Sequence, residues 1–135
     1  MTRFLLDTGI AGDFIDRRRG VYERAREETA QGNRIGIGIP VLAELVYGIE
    51  RSASRDRNMQ SLRMALAAWK LWPFDEKSAF EYGRIAAELR RFGRPMQVVD
   101  MMIAAIAFSL GNCMVVSGDN DLTAVPGLTV QNWAS

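Results

Sequence analysis

Apolar residues in this chain alternate between short continuous runs and longer stretches with helical spacing. Phe4, Leu5 and Leu6 make one run, which stops at Asp7, the pattern of a central strand with an acid at its carboxyl end. The stretch from there to Asn33 predicts one or two helices, broken near Gly20 and closed by Gly32 and Asn33. "RIGIGI" predicts a second strand whose glycines permit close backbone approach, and Pro40 starts the next helix. In that helix Val41, Leu42, Leu45, Val46 and Ile49 fall within about 140° of arc, one wide stripe expected to face the core, with Glu44 just off its edge.

Residues 55–70 predict a further helix with Met59, Leu62, Leu66 and Trp69 on one face. "LWPF" then reads as extended, and Asp75 caps a helix that ends at Gly93 with Pro95 beyond. Val98–Leu110 is apolar nearly all round, as a helix enclosed by other elements would be, and is shorter than the ~20 residues that cross a bilayer. Cys113–Val116 and "LTVQNW" predict the last two strands. Short strands alternating with helices predict an α/β fold: a mainly parallel central sheet covered by helices on both faces, as one domain over residues 1–135. Ligands of such sheets bind beyond the carboxyl ends of the strands, the edge where Asp7 and Asp119 fall.

Composition narrows the chemistry more than the fold. With 48% apolar and 24% charged residues in 135, the chain has the balance of a folded soluble protein. "MTRFLLDTG" meets an acid after two leucines and lacks a signal-peptide core, so a cytoplasmic location is expected, with no membrane association. The one cysteine, Cys113, excludes an internal disulfide and a cysteine metal cage, and its apolar context predicts a packed thiol. Histidine is absent, which removes the commonest general base, the usual zinc ligand and every His-activated nucleophile. The net charge of +1 does not advertise a nucleic-acid partner, yet all but Lys70 and Lys77 of the 17 basic residues are arginine, the better phosphate fork. Their clusters, Arg17 to Arg19 among them, are expected to be solvated helix ends, with phosphate contact as the lesser alternative.

Four acids then stand out. Asp7 ends a strand, Glu44 edges a helical stripe, Asp100 is the only charged side chain between Arg94 and Asp119, and Asp119 lies with Asp121 in a turn after a strand. Singly, each has an ordinary role available as a cap, a turn residue or a solvated side chain. Jointly, an acid at the end of two strands and near the start of two helices can converge on one point of the sheet edge. Carboxylates packed together raise one another's pKa unless a cation lies among them, and an oxygen-only donor set selects a hard ion, Mg²⁺ or Mn²⁺. Such ions commonly bridge carboxylates to phosphate oxygens, which implies phosphodiester chemistry.

The segments "FLLDTG", "PVLAELVYGIERS", "AELRRFGRPMQVVDMMIAAIA" and "VVSGDNDLTAVPGLTVQNW", in that order, resemble the PIN-domain nucleases, in particular the VapC toxins of bacterial toxin-antitoxin pairs. The resemblance covers nearly the whole chain. It implies a PIN-like three-layer α/β/α sandwich, a Mg²⁺-dependent endoribonuclease acting on RNA such as tRNA, a homodimer, and a VapB-like antitoxin partner whose tail lies across helices such as the one bearing Leu42, Leu45 and Tyr47. It assigns Asp7, Glu44, Asp100 and Asp119 as the catalytic acids, with Asp7 and Asp100 chiefly holding the metal and Glu44 and Asp119 reaching it directly or through water. Thr8, Ser117 and Asp121 are expected to support them, Thr8 by orienting Asp7. Gly9 stands where the family usually has asparagine, which removes a side-chain amide from the site.

Three other readings fit parts of the chain. A fold-mate that binds RNA or a partner protein without cleaving is compatible with Gly9. An aspartyl phosphatase or phosphoacceptor would use a strand-end aspartate but generally adds a late lysine, and none follows Lys77. "LLDTG" matches the aspartic protease motif, but those enzymes are all-β, against the helical periods at 55–70 and 98–110.

Overall fold

The computed structural model describes residues 1–134. In chain order the elements are β1 (Arg3–Leu6), α1 (Thr8–Asp16), α2 (Val21–Ala30), β2 (Arg34–Gly38), α3 (Ile39–Glu50), α4 (Arg55–Ala68), β3 (Lys70–Trp72), α5 (Glu76–Arg91), α6 (Val98–Leu110), β4 (Cys113–Val116), a 3-10 turn (Asp121–Ala124) and β5 (Val130–Gln131). The five strands form one sheet in the order β3-β2-β1-β4-β5, and every pairing is parallel. No helix among the described residues is long and apolar enough to cross a membrane.

The strand order fixes where a site can form. From β1 the chain steps outward to β2 and β3, then crosses back to β4 on the other side of β1. Right-handed crossovers put α1 to α4 on one face and α5 and α6 on the other. Most contacts follow that division: α1 touches α2, α3 and α4, while α5 packs along α6 and α6 against β4, with α3 also meeting α6. The direction of winding therefore reverses between β1 and β4, and the crevice at their carboxyl ends is the place such sheets bind ligands. In register, Leu6 pairs with Val116, and the Asp7 amide donates to the Val116 carbonyl at 3.0 Å, so Asp7 and Ser117 leave the sheet side by side.

The core explains why these segments hold their places. Leu5, Leu6, Ile37, Val115 and Val116 are fully enclosed, as strands covered on both faces must be. Ile103 to Ala107 are buried without a break, and three alanines there let α6 lie close to the sheet. Near the end of the chain, Trp133 stacks obliquely on Phe4 at 5.1 Å, with the Arg24 guanidinium 5.1 Å from its ring. The all-parallel sheet and six helices exclude the all-β protease architecture.

Three local expectations change. The stripe on α3 is only half covered: Val41 is buried, but Leu42, Leu45, Val46 and Ile49 are partly exposed, because α3 has neighbours on only part of its circumference. The helix predicted over 55–70 stops at Ala68, since Lys70–Trp72 pairs with β2 as the sheet edge, and Ala65 joins Leu62 and Trp69 in the core. Cys113 is half-buried, at the start of β4, and burial pushes its thiol up to about 12, so it is an inert thiol at neutral pH.

Between α1 and α2 the backbone is strained. Arg17 and Arg19 both adopt left-handed conformations, with φ of 54° and 58°, before Gly20 at 74°. Each non-glycine residue there costs on the order of 1 kcal/mol. By contrast, the glycines of β2 answer a close approach, because a Cβ on Gly36 would lie 2.2 Å from the Lys70 carbonyl oxygen of β3. Gly36→Ala is therefore expected to cost about 3 kcal/mol in urea unfolding, by forcing β2 and β3 apart. Gly9→Ala, whose Cβ would meet nothing nearer than Asp7 Oδ1 at 3.8 Å, should instead stabilise α1 by about 0.5 kcal/mol. Equal effects at the two positions would refute this account of β2.

Candidate active site

The crevice between the ends of β1 and β4 is a cleft of about 500 Å³. Each acid reaches it through a different backbone device. Asp7 is the N-cap of α1: the chain leaves β1 and turns at once into the helix, and Asp7 Oδ1 accepts the Ile10 amide at 2.8 Å. Asp7 is only 9% exposed. Burial raises its pKa, Ser117 and the Ile10 amide pull it back, and Asp119 and Asp13 raise it further.

Glu44 comes from the middle of α3 and is exposed to solvent. The Thr8 hydroxyl donates to its Oε1 at 2.5 Å, joining the first residue of α1 to α3. The Thr8 hydroxyl, expected to orient Asp7, is engaged with Glu44 instead.

Asp100 lies in the first turn of α6, where a carboxylate complements the helix dipole. Its pKa is nonetheless pushed up to about 6, first by burial, then by Asp119, Asp7, Asp121 and Glu44. All the other site acids named from the sequence therefore converge on Asp100.

Asp119 and Asp121 sit in a tight turn after β4. Ser117 Oγ accepts the Asp119 amide at 3.0 Å, and Asp119 Oδ1 accepts the Asp121 amide at 3.0 Å, an Asx turn that puts both side chains on one side. Carboxylate oxygens of Asp100, Asp119 and Asp121 lie within 4.8 Å of one another. Asp121, expected to stand behind Asp119, stands beside it. This donor set of three carboxylates, with no nitrogen or sulfur ligand, suits a hard oxygen-seeking cation.

Asp13, Arg18 and Arg19 also line the cleft; the sequence singled out the arginine run without placing it in the site, and did not single out Asp13. Asp13 is buried on α1, and Arg18 Nη2 lies 3.7 Å from its carboxylate and 3.2 Å from that of Asp16. The signal available was the run Arg17 to Arg19 directly after α1. Its two inward-facing members follow from the left-handed turn, which residue type alone does not reveal.

A parallel sheet with a ring of acids at its switch point defines a class of protein, and the PIN domain model matches residues 4–128; the chain belongs to the PIN domain family. Within that family it groups with the VapC ribonucleases. It is 33% identical to the tRNA(fMet)-specific endonuclease VapC of Shigella flexneri, over 99% of this chain and 100% of that one. It is 30% identical to Ribonuclease VapC2 of Rickettsia felis, over 96% of this chain and 97% of that one. Among solved structures, DNA-bound VapBC from Salmonella typhimurium superposes with a TM-score of 0.90 at 31% identity, covering 99% of this chain and 100% of that one. VapBC2 from Rickettsia felis, bound to a promoter DNA fragment, gives a TM-score of 0.91 at 28% identity, covering 98% and 99%.

The raised carboxylates make stability depend on pH in a definite sense. A folded acid with a raised pKa binds more protons than the unfolded chain between about pH 4 and 6, so stability falls as pH rises through that window. Glu50 and Asp75 are shifted down, and their contribution is already complete above that range. In EDTA the protein should therefore melt at a lower temperature at pH 7.5 than at pH 5. Asp100→Asn should raise the melting temperature at pH 7.5 and flatten the difference. A metal-free wild type more stable at pH 7.5 would contradict the assigned shifts.

Proposed function

We propose that this chain is the toxin of a toxin-antitoxin pair, a Mg²⁺-dependent endoribonuclease that cleaves RNA phosphodiester bonds at the β1/β4 cleft. The observation that carries the reading is the carboxylate trio around an Asp100 whose pKa is already elevated, in a chain of the VapC family. Repulsion of that kind is relieved by a cation, and the donors available are those a hard ion takes. Asp100, Asp119 and Asp121 would hold it, with Asp7 the acid that the family resemblance adds; Mn²⁺ has the same donor preference. When bound, such an ion neutralises phosphoryl oxygens and acidifies a water molecule into a nucleophile.

The chain's own residues do the rest. Glu44, exposed on the cleft wall and fixed by Thr8, is positioned to accept a proton from an incoming water. Asp7 fixes the start of α1 and adds negative charge facing Asp100. Ser117 ties the Asp119 turn to the end of β4, so that strand, turn and acid move as one. The name of the Shigella flexneri relative supports a tRNA as substrate. A VapB-like antitoxin and a second copy of the chain complete the reading, supported by the VapBC complexes among the structural neighbours and by the half-covered apolar stripe of α3 beside exposed Tyr47.

Purified protein should cleave RNA with Mg²⁺ and fail with EDTA. Asp7→Asn and Asp100→Asn should each lower the rate at least a hundredfold, on the order of 3 kcal/mol of transition-state stabilisation. Cleavage persisting in both variants would sink the metal assignment. Gly9→Asn restores the amide usual in the family, its Cβ in ordinary contact with Asp7 Oδ1, and should raise Mg²⁺ affinity, read as a lower Mg²⁺ midpoint for cleavage, without loss of stability. If Gly9→Asn creates activity that the wild type lacks, the chain is the non-cleaving fold-mate.

A further inference from the structure

We propose that Arg18, with Arg19 beside it, is the phosphate-holding element of the cleft, taking the non-bridging oxygens of an RNA backbone phosphate next to the bond to be cut. This rests on the ribonuclease reading above and adds to it the group that overcomes the cleft's own repulsion. Six carboxylates line the cleft, and the positive charges lining it are Arg18 and Arg19. A polyanion approaching six acids is repelled even after a divalent ion has offset two of them, so attraction has to come from fixed cations at the same wall.

The turn that carries these arginines is built to aim them. Arg17 closes α1 in a left-handed conformation, its amide donating to the Asp13 and Phe14 carbonyls, and its guanidinium lies 4.0 Å from the centre of the Tyr22 ring, away from the cleft lining. The Arg18 amide donates to the Asp13 carbonyl at 2.8 Å, and Arg19 is again left-handed. Three consecutive arginines are thereby sorted, one onto an aromatic ring and two into the cleft.

Arg18 is restrained but not used up. Its contacts to Asp13 and Asp16 both fall on Nη2, which leaves the Nη1 donors for an anion. Asp13 is buried and holds the guanidinium at the cleft, whereas Asp16 is exposed and forms a pair of the weak surface kind. Binding of a phosphate exchanges the Asp16 contact for the anion and keeps that to Asp13.

The test is RNA binding without turnover: fluorescence anisotropy of a labelled RNA hairpin in EDTA, at several salt concentrations, on full-length protein checked for folding by circular dichroism. Arg18→Gln should weaken binding about tenfold and lower the slope of log Kd against log salt by about 0.7, the release of one counterion. Arg18→Lys should restore the slope but not the affinity, since lysine lacks the planar fork. Asp16→Asn should tighten binding two- to threefold in the wild type but not on an Arg18→Gln background, a coupling that simple removal of charge would not give. Arg57→Gln, on α4 and outside the cleft, should change binding less than twofold. Arg18→Gln within twofold of wild type, a loss matched by Arg57→Gln, or Asp16→Asn binding no tighter would each overturn the assignment. Arg18-dependent binding in a protein that never cleaves RNA with Mg²⁺ would instead remove the ribonuclease reading and leave the phosphate site standing.

Discussion

Mutual repulsion among the carboxylates at the β1/β4 edge is the constraint that the rest of the molecule answers. Asp100 feels Asp119, Asp7, Asp121 and Glu44 at once, on top of its burial. Left to side-chain freedom, such groups would swing apart into water. Here three of these acids are each held by a donor that is not a cation: Asp7 by the Ile10 amide, Glu44 by the Thr8 hydroxyl and Asp119 by the Asp121 amide. Neutral donors fix direction without cancelling charge. An arginine in their place would have quenched the cluster, and Arg18, one of the two arginines at the cleft, contacts Asp13 and Asp16.

The scaffold tolerates this because the strain is local and the support is not. β1 and β4 are buried strands in parallel register, and α6 lies over them with five consecutive buried residues. Only the first turn of α6 and the turn after β4 bring acids to the surface of that block. The left-handed turn at Arg17 and Arg19 is a second local cost, and its Arg18 and Arg19 reach the cleft wall. Conformations of this kind persist where surrounding structure over-determines them, here through hydrogen bonds from the Arg17 and Arg18 amides to the Asp13 and Phe14 carbonyls.

Most of the fold was legible in the sequence, because a buried parallel strand flanked by helices writes itself as a short apolar run between longer amphipathic stretches. Phe4 to Leu6, Val98 to Leu110 and the Asp75 cap needed no tertiary information. The edge strand Lys70–Trp72 was harder, since a three-residue strand carries no period of its own. In the site, acids at strand ends were readable from position alone. What Thr8 bonds to, and that Asp121 faces the same way as Asp119, depend on the α1–α3 contact and on an Asx turn, neither of which leaves a periodic trace. Asp13 was invisible for a related reason: a buried acid two turns into a helix looks like any solvated one until its neighbours are known.

Asp7 joins the architecture to the chemistry most tightly, because one carboxylate carries two duties. As an N-cap it could be replaced by asparagine at little cost, since both side chains offer an oxygen to the Ile10 amide. As a negative charge beside Asp100 and Asp119 it has no neutral substitute. The cap duty accounts for the acid's fixed direction, and the charge duty for its being an acid at all at 9% exposure, where burial alone favours a neutral side chain. A purely structural origin explains the first property and leaves the second as an unrelieved cost. The proposed cation-binding cleft accounts for both, and for the donors that fix Asp7, Glu44 and Asp119 being amides and a hydroxyl rather than cations.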